Sequence, residues 1–300
     1  MKIQKLAFAA LVILLSQTNL FGQGYAFKVM VSKGKTEVKS GAAWVPMKVG
    51  LSLMDSDEVR LAENSYLGLV NSSGKPLEVK QAGRQTVRQL LAKIPAGTSV
   101  LNKYTDFILS SATEPKTGLT ATGAVHRGNE VPLHMPKDDK GVVFGSEVIV
   151  NWDSEQLAPP CKVLFKSLFD DELYSVETKN DYVSINLDDK NFNNEDNILV
   201  TVTSLTDKKE SAQYSIRRLS KNDNERIKAS IKENNIDVKV QTALGKLFLA
   251  RFYEEHSLLL NASTVLQQAM ILEPDVPAYK EAYLDFLYRT GLKEGTAAEK

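Results

Sequence analysis

Short segments of alternating apolar and polar residues follow one another through residues 27–80, which have the sequence FKVMVSKGKTEVKSGAAWVPMKVGLSLMDSDEVRLAENSYLGLVNSSGKPLEVK. The alternating apolar positions are Phe27, Val29 and Val31, then Val59 and Leu61, then Leu67 and Leu69, and last Leu77 and Val79. Polar turns separate the segments, as at Asp55–Asp57 and Ser72–Lys75. Period-two alternation between such turns is typical of half-buried antiparallel strands. These residues therefore predict a small all-β unit.

A second pattern lies between those segments. It runs from a Trp-x-Pro segment through a glycine and an acidic turn to a glycine-containing hairpin, at Trp44, Pro46, Gly50, Asp57 and Gly74. This order resembles the FecR-like domain of bacterial envelope proteins. The resemblance implies a small all-β FecR-like domain. Periodic apolar residues after it predict two trailing helices within residues 23–112, the first with Leu90, Leu91 and Ile94 on one face and the second with a stripe that includes Tyr104, Phe107 and Ile108.

The FecR-like family is known from periplasmic regions of transmembrane sigma-factor regulators and from exported proteins of unassigned role. This chain departs from the regulators, because neither a cytoplasmic segment nor a membrane span is expected in it. Ser73, Gly74 and Lys75 also replace the frequent Asp-Gly-Ser turn. The resemblance therefore implies the fold of the domain and does not extend to sigma-factor signalling.

The first residues have the layout of a secretory signal peptide. Lys2 and Lys5 supply a positive region, Leu6–Leu15 supplies ten apolar residues, and a polar region ends at Gly22. Ten residues are too few to cross a bilayer core as a helix, which needs about twenty. Residues 1–22 are therefore predicted to be a cleaved signal peptide. The expected location is the periplasm or another part of the cell envelope; the alternative is an uncleaved signal anchor.

The length of the chain and its mixture of strand-like and helix-like patterns predict a multidomain α+β protein. Three hundred residues correspond to two or three domains on the usual prior of about 100–200 residues each. Residues 113–141 have no sustained periodicity and many turn residues, which predicts a linker. Basic and acidic residues are equal in number, 37 of each, so the charge gives no reason to expect nucleic acid as a partner.

Residues 142–219 return to strand-like patterns. The six predicted strands are residues 148–152, 162–168, 173–177, 182–187, 198–203 and 213–217. Six short strands at roughly ten-residue spacing suggest a β-sandwich. Val148, Val150 and Trp152 resemble an early core strand of an immunoglobulin- or fibronectin-type domain. Trp44 and Trp152 each lie in an apolar strand-like pattern, so both are predicted to be core residues.

Residues 220–300 change to helical periodicity. The positions that carry a motif within Ala243–Val276 are Leu249, Ala250, Tyr253, Ala262, Leu266, Ala269 and Pro274. They resemble the tetratricopeptide repeat, in which small residues let two antiparallel helices touch. The resemblance implies a C-terminal α-helical hairpin repeat with a groove for peptides; the alternative is a plain helical hairpin. The chain as a whole resembles envelope proteins of Bacteroidetes type.

Few residues suggest chemistry. Cys161 is the single cysteine, and free cysteines are more often small buried residues than catalytic thiols. His126 and His134 lie eight residues apart, which is weak evidence for a metal site. Gly34-Lys35-Thr36 is similar to the end of a phosphate loop, but Val29 stands where that loop needs a glycine.

The acidic residues do not form a recognisable site in the sequence. Asp189–Asn193 has the opening of a calcium loop, but Asn194 and Val200 replace the required glycine and glutamate. Adjacent pairs such as Asp170-Asp171 point to opposite faces of a strand, so they are not natural acid and base partners. We therefore expect no catalytic residue, no cofactor and no metal ligand.

These observations favour an exported, non-catalytic scaffold or protein-interaction protein of the cell envelope. Its expected partners are other envelope proteins, bound through the helical region. The first alternative is a FecR-like ligand sensor or an accessory of envelope signalling. A less favoured alternative is an enzyme that acts on a polysaccharide.

Overall fold

The computed structural model describes residues 24–94, 102–113, 131–137 and 140–293. Within these ranges the chain has a mixed α+β fold, with several mainly antiparallel sheets followed by a C-terminal helical region. The predicted signal peptide lies outside the described residues, and so does His126.

Two four-stranded antiparallel sheets form the first β unit. Its strands are β1 (Phe27–Lys33), β2 (Thr36–Ser40), β3 (Ala43–Pro46), β4 (Ser52–Leu53), β5 (Glu58–Leu61), β6 (Tyr66–Asn71), β7 (Pro76–Val79) and β8 (Gly83–Thr86). They pair in the orders β4-β1-β6-β7 and β3-β2-β5-β8. One apolar cluster contains residues of both sheets, including Phe27, Val59 and Leu69. Burial of the alternating apolar residues therefore holds the two sheets together.

Two helices follow this unit: α1 (Val87–Leu91) and α2 (Asn102–Thr113). Thr86 and Gln89 form a capping box at the start of α1. That box satisfies free amide groups of the first turn. Val87 and Leu90 then join the core between the two sheets.

The second β unit contains strands β9 (Val142–Val143), β10 (Glu147–Asn151), β11 (Cys161–Lys166), β12 (Glu172–Thr178), β13 (Tyr182–Asn186), β14 (Asn197–Ser204) and β15 (Tyr214–Arg218). One sheet has the order β12-β11-β14-β15-β9, and β10 pairs with β13. Trp152, Phe165 and Phe192 are buried in the shared core. All six strands predicted in this region are confirmed to within a few residues.

Four helices complete the chain: α3 (Lys221–Glu233), α4 (Ala243–Glu255), α5 (Leu259–Leu272) and α6 (Pro277–Arg289). Ser220 and Thr242 accept backbone hydrogen bonds at the starts of α3 and α4. Pro277 begins α6, a position where its missing amide hydrogen costs nothing. Helices α4 and α5 are joined by three residues and form a helical hairpin.

The helical region is not separate from the β units. Met30, Val31 and Tyr66 of the first unit belong to the same apolar cluster as Phe248 of α4. Leu260 of α5 belongs to the core of the second β unit. Strand β6 is consequently buried on both faces, between its partner sheet and the helices.

Polar contacts fasten the helices to both units. Glu78 of β7 accepts a hydrogen bond of 2.8 Å from the amide of Leu244, in the first turn of α4. The side chain of Asn261 pairs with both backbone groups of Phe144, at 2.9 and 2.8 Å. Because a buried backbone group without a partner is costly, these bonds favour one docking arrangement over others.

Two expectations need correction. Trp44 is half-buried on the outer side of its sheet, where its ring contacts Arg60 and Arg84 at 4.5 and 5.5 Å from ring centre to guanidinium carbon. The prediction that Trp44 is a core residue is therefore wrong. Residues 131–137 fell within the predicted linker, but Leu133 and Met135 are buried in the second core. This end of the linker therefore belongs to the second β unit.

Candidate functional site

A groove lies where the C-terminal helices meet the first β unit. Its walls are α4 and α6, residues of β1 such as Val31 also line it, and α2 lies along one side. The open cavity beside α2 has a volume of about 350 Å³. Apolar side chains such as Val31, Leu247 and Phe286 line its depth, and charged side chains lie at its edge.

Small residues lie along the helices that form and support the groove. Ala250 of α4 and Ala269 of α5 are buried, so the two helix backbones pack without large side chains between them. Ala278 and Ala282 then face the cavity from α6. A stripe of alanines leaves space that larger side chains would fill, which is the physical reason that a cavity remains here.

Two arginines and two acids form the edge of the groove. Glu254 accepts ion pairs from Arg251, at 3.2 Å, and from Arg289. Asp285 holds the Nε of Arg289 at 3.2 Å. The Glu254 side chain is only 11% exposed, so its charge requires these partners. The two guanidinium groups are thereby held side by side over the cavity.

Helix α2 presents an aromatic side chain to these arginines. The ring centre of Phe107 lies 3.9 Å from the guanidinium carbon of Arg251 and 5.2 Å from that of Arg289. Guanidinium groups over an aromatic face are attracted by its negative charge density. Tyr104 and Ile108, on the same side of α2, are buried in the helical core. Helix α2 is therefore seated in the groove by residues at spacings of three and four.

A polar contact accompanies these apolar ones. The Tyr104 hydroxyl donates to Glu255 of α4, and Lys103 forms an ion pair with the same carboxylate at 3.1 Å. Burial alone would raise the pKa of Glu255, but the bonds from Tyr104 and Lys103 outweigh it and hold the pKa below its usual range. Burial, helped by Glu255, raises the pKa of Tyr104. The hydroxyl thus remains a hydrogen-bond donor at neutral pH.

A second polar cluster joins α6 to the second β unit. The Tyr283 hydroxyl donates to the Asn151 side chain, and its oxygen lies 3.5 Å from Nδ1 of His134. His134 is 8% exposed, and burial lowers its pKa to about 4. The histidine is therefore neutral at physiological pH. Because the cluster is enclosed, it acts as part of the junction between α6 and the β unit.

The five residues that predicted a FecR-like domain lie along the sheets and turns of the first β unit. Gly50 and Gly74 have positive φ angles of 86° and 81°, which favour glycine. Asp57 accepts a hydrogen bond of 2.8 Å from the amide of Met54 and closes its turn. Pro46 ends β3, beside the half-buried Trp44. None of the five residues lines the groove.

The seven residues that predicted a tetratricopeptide-like repeat lie at the helical hairpin. Six of them are buried, namely Leu249, Ala250, Tyr253, Ala262, Leu266 and Ala269. Pro274 follows the end of α5 by two residues. Ala250 and Leu266 line the groove, while the others pack between the helices.

The arginine and acid side chains of the groove were not among the predicted site residues. Arg251 and Glu254 are three residues apart on one helix, a spacing that puts them on one face. Arg289 is far along the chain, so only the packing of α6 against α4 brings it to Glu254. The apolar stripe that contains Phe107 could be recognised in the sequence, but the arginines that pack over its ring could not.

The other candidates lie apart from the groove. Cys161 is buried, and burial raises the pKa of its thiol. The Asp189 carboxylate accepts a bond of 3.2 Å from the amide of Asn191, as in an ordinary turn. Gly34 turns between β1 and β2 with a φ of 76°. Among the residues that the structure describes, no three His, Cys, Asp or Glu side chains are grouped closely enough to hold a metal ion.

No helix in the described ranges is both long and apolar enough to cross a membrane. Comparison with known proteins finds no matching family model, no matching curated protein and no matching solved structure.

Proposed function

We propose that this chain is an exported, non-catalytic protein-interaction protein of the cell envelope, and that it binds a segment of another envelope protein in the groove between α4 and α6. The observation that carries this proposal is the groove itself, which combines an apolar depth with a fixed pair of guanidinium groups at its edge. Apolar depth supplies binding energy, and placed charges supply specificity.

The proposed domain assignments agree with this role. The buried alanines of the α4–α5 hairpin support a tetratricopeptide-like unit. In the second β unit, the parallel pairing of β9 with β15 and the separate β10–β13 pair support an immunoglobulin-like sandwich. The positive φ angles at Gly50 and Gly74 support the FecR-like assignment of the first unit. In this arrangement the β units act as supports for the helical groove.

Site-specific photo-crosslinking in intact cells tests the binding role. A photoreactive phenylalanine analogue replaces Ala282, which faces the cavity, and in the control it replaces Lys280, which is exposed on the same helix. We expect the Ala282 probe to capture a defined envelope protein that the Lys280 probe does not. Identical products from both positions, or none from Ala282, would contradict the groove as the binding surface.

The location is tested separately. The signal-peptide layout predicts that protein isolated from the envelope begins near Gln23. N-terminal sequencing of that protein gives the answer. A chain that still begins at Met1 and sediments with the inner membrane would contradict export with cleavage.

A further inference from the structure

We propose that α2 occupies in cis the place that an amphipathic helix of the partner takes in trans, so that the partner displaces α2. The partner helix then carries an aromatic residue, a second aromatic residue three positions later and an aliphatic residue directly after that. Helix α2 has this pattern at Tyr104, Phe107 and Ile108: Tyr104 and Ile108 are buried in the helical core, and the Phe107 ring contacts Arg251. The inference rests on the proposed function and names the chemistry of the partner.

The attachment of α2 depends on its buried face, because its charged contacts add little. Its charged contacts lie at the surface: Lys28 pairs with Asp106 at 3.2 Å, and that carboxylate is 85% exposed. Lys103 and Glu255 are both about two-fifths exposed, with side-chain exposures of 41% and 43%. Exposed ion pairs contribute little to stability. The apolar side chains on the buried face, chiefly Tyr104, Phe107 and Ile108, thus supply most of its attachment.

The fit of α2 to the groove is also incomplete. A cavity of about 350 Å³ remains beside it, bounded by Ala278 and Ala282 of α6 and by Ala112 of α2 itself. The Thr105 hydroxyl is buried without a hydrogen-bond partner among the described residues. An unsatisfied buried hydroxyl weakens packing. A helix with an apolar residue at this position and a longer side chain toward the cavity would fit the groove better than α2 does.

A peptide competition experiment tests displacement. The probe is a fluorescent peptide of residues 102–113, and the proteins are the mature chain and a variant whose own anchors are removed (Tyr104→Ser, Phe107→Ser and Ile108→Ser). A tethered segment acts at an effective concentration of about millimolar. We therefore expect the variant to bind the probe at least about tenfold more tightly than the wild type.

Two changes test the mode of binding. In the anchor-free variant, Arg251→Ala removes the guanidinium that covers Phe107, and we expect probe affinity to fall about fivefold or more. A probe that carries Thr105→Val loses the unsatisfied hydroxyl, and we expect it to bind about tenfold more tightly. Unchanged affinity in both cases would show that the probe binds elsewhere and would overturn the inference.

Hydrogen exchange of the wild-type protein gives a test that needs no variant. If α2 is displaced as a unit, its amides exchange at least about tenfold faster than those of α4 and α5. Hydrogen exchange of α2 only through global unfolding would overturn the inference. A concentration-dependent dimer in which two copies of this chain swap α2 would also overturn it, because the helix bound in trans would then come from a second copy. A folded anchor-free variant that ignores the probe would also overturn it. Partner capture at Ala282 could still succeed in those cases, so the proposed function would stand.

Discussion

Acidification is expected to destabilise the junction between α6 and the second β unit, because His134 is buried there in its neutral form. Its backbone amide donates to Asn151 at 2.9 Å, and its ring lies edge-on to Tyr283 with ring centres 6.3 Å apart. The charged groups that face it are Lys293 and Asp153, which are paired at 2.8 Å. Burial lowers the pKa of His134 from 6.5 to about 4; Lys293 lowers it further, and Asp153 opposes the shift.

The direction follows from the protons that each state binds. Between pH 6.5 and about pH 4 the unfolded chain protonates this histidine and the folded chain does not. The titration of His134 therefore costs no unfolding free energy above the ordinary pKa of 6.5, and it lowers the unfolding free energy as the pH falls toward the folded-state pKa of about 4. One pKa unit corresponds to about 1.4 kcal/mol. Between about pH 7.5 and about pH 4.5 this histidine alone removes about 2.5 kcal/mol of unfolding free energy.

Urea unfolding at a series of pH values measures this loss, with tryptophan fluorescence, to which the buried Trp152 contributes, as the signal. Carboxylates also titrate in this range, so the control is His134→Gln, which keeps a polar side chain and removes the titration. The difference between the two proteins isolates the histidine. We expect the wild type to lose about 2–3 kcal/mol more than the variant. Parallel stability curves for the two proteins would refute the burial argument.

Three further predictions concern packing. Trp152→Ala is expected to cost about 3–5 kcal/mol because its indole is buried, whereas Trp44→Ala should cost about 1 kcal/mol or less because its contacts are at the surface; equal losses in urea titrations would contradict these placements. Ala269→Leu should cost about 1–3 kcal/mol by forcing α4 and α5 apart, and an unchanged melting temperature would disprove that contact. Tyr279→Phe should cost about 1 kcal/mol by removing the hydrogen bond between its hydroxyl and that of Tyr66, 2.5 Å away; a double-mutant cycle with Tyr66→Phe would show no coupling if the pair were not formed.

The secondary structure could be predicted well from local patterns. Alternation over Phe27–Val31 and Leu67–Leu69 placed strands β1 and β6, and the apolar stripe with Phe107 and Ile108 placed α2. These elements form where the pattern indicated because burial of one face is a local property of the spacing.

Burial of the second face of β6 could not be predicted in the same way. Tyr66 and Val70 alternate with the core-facing leucines and were expected to be half-exposed, but both are buried under the helical region. The cover comes from residues far along the chain, such as Tyr279 and Phe248. A strand's own sequence shows which faces are apolar and does not show what will cover them.

Trp44 shows the opposite case. Its apolar neighbours Val45 and Met47 predicted a core strand, but β3 lies at the edge of its sheet. The tryptophan is on the outer side, between two arginines that come from β5 and β8. Composition alone cannot distinguish an indole that packs in a core from one that packs under guanidinium groups.

Local order along this chain follows from its residues: alternation, helical spacing, capping side chains such as Thr86 and Thr242, and the glycines at turns. The groove does not follow from them. Arg251 and Arg289 meet at Glu254 only after α6 packs on α4, and Phe107 reaches them only after α2 docks. Periodicity records how each segment is divided between apolar and polar faces. The pairing of those faces depends on long-range packing, which no short window of sequence contains.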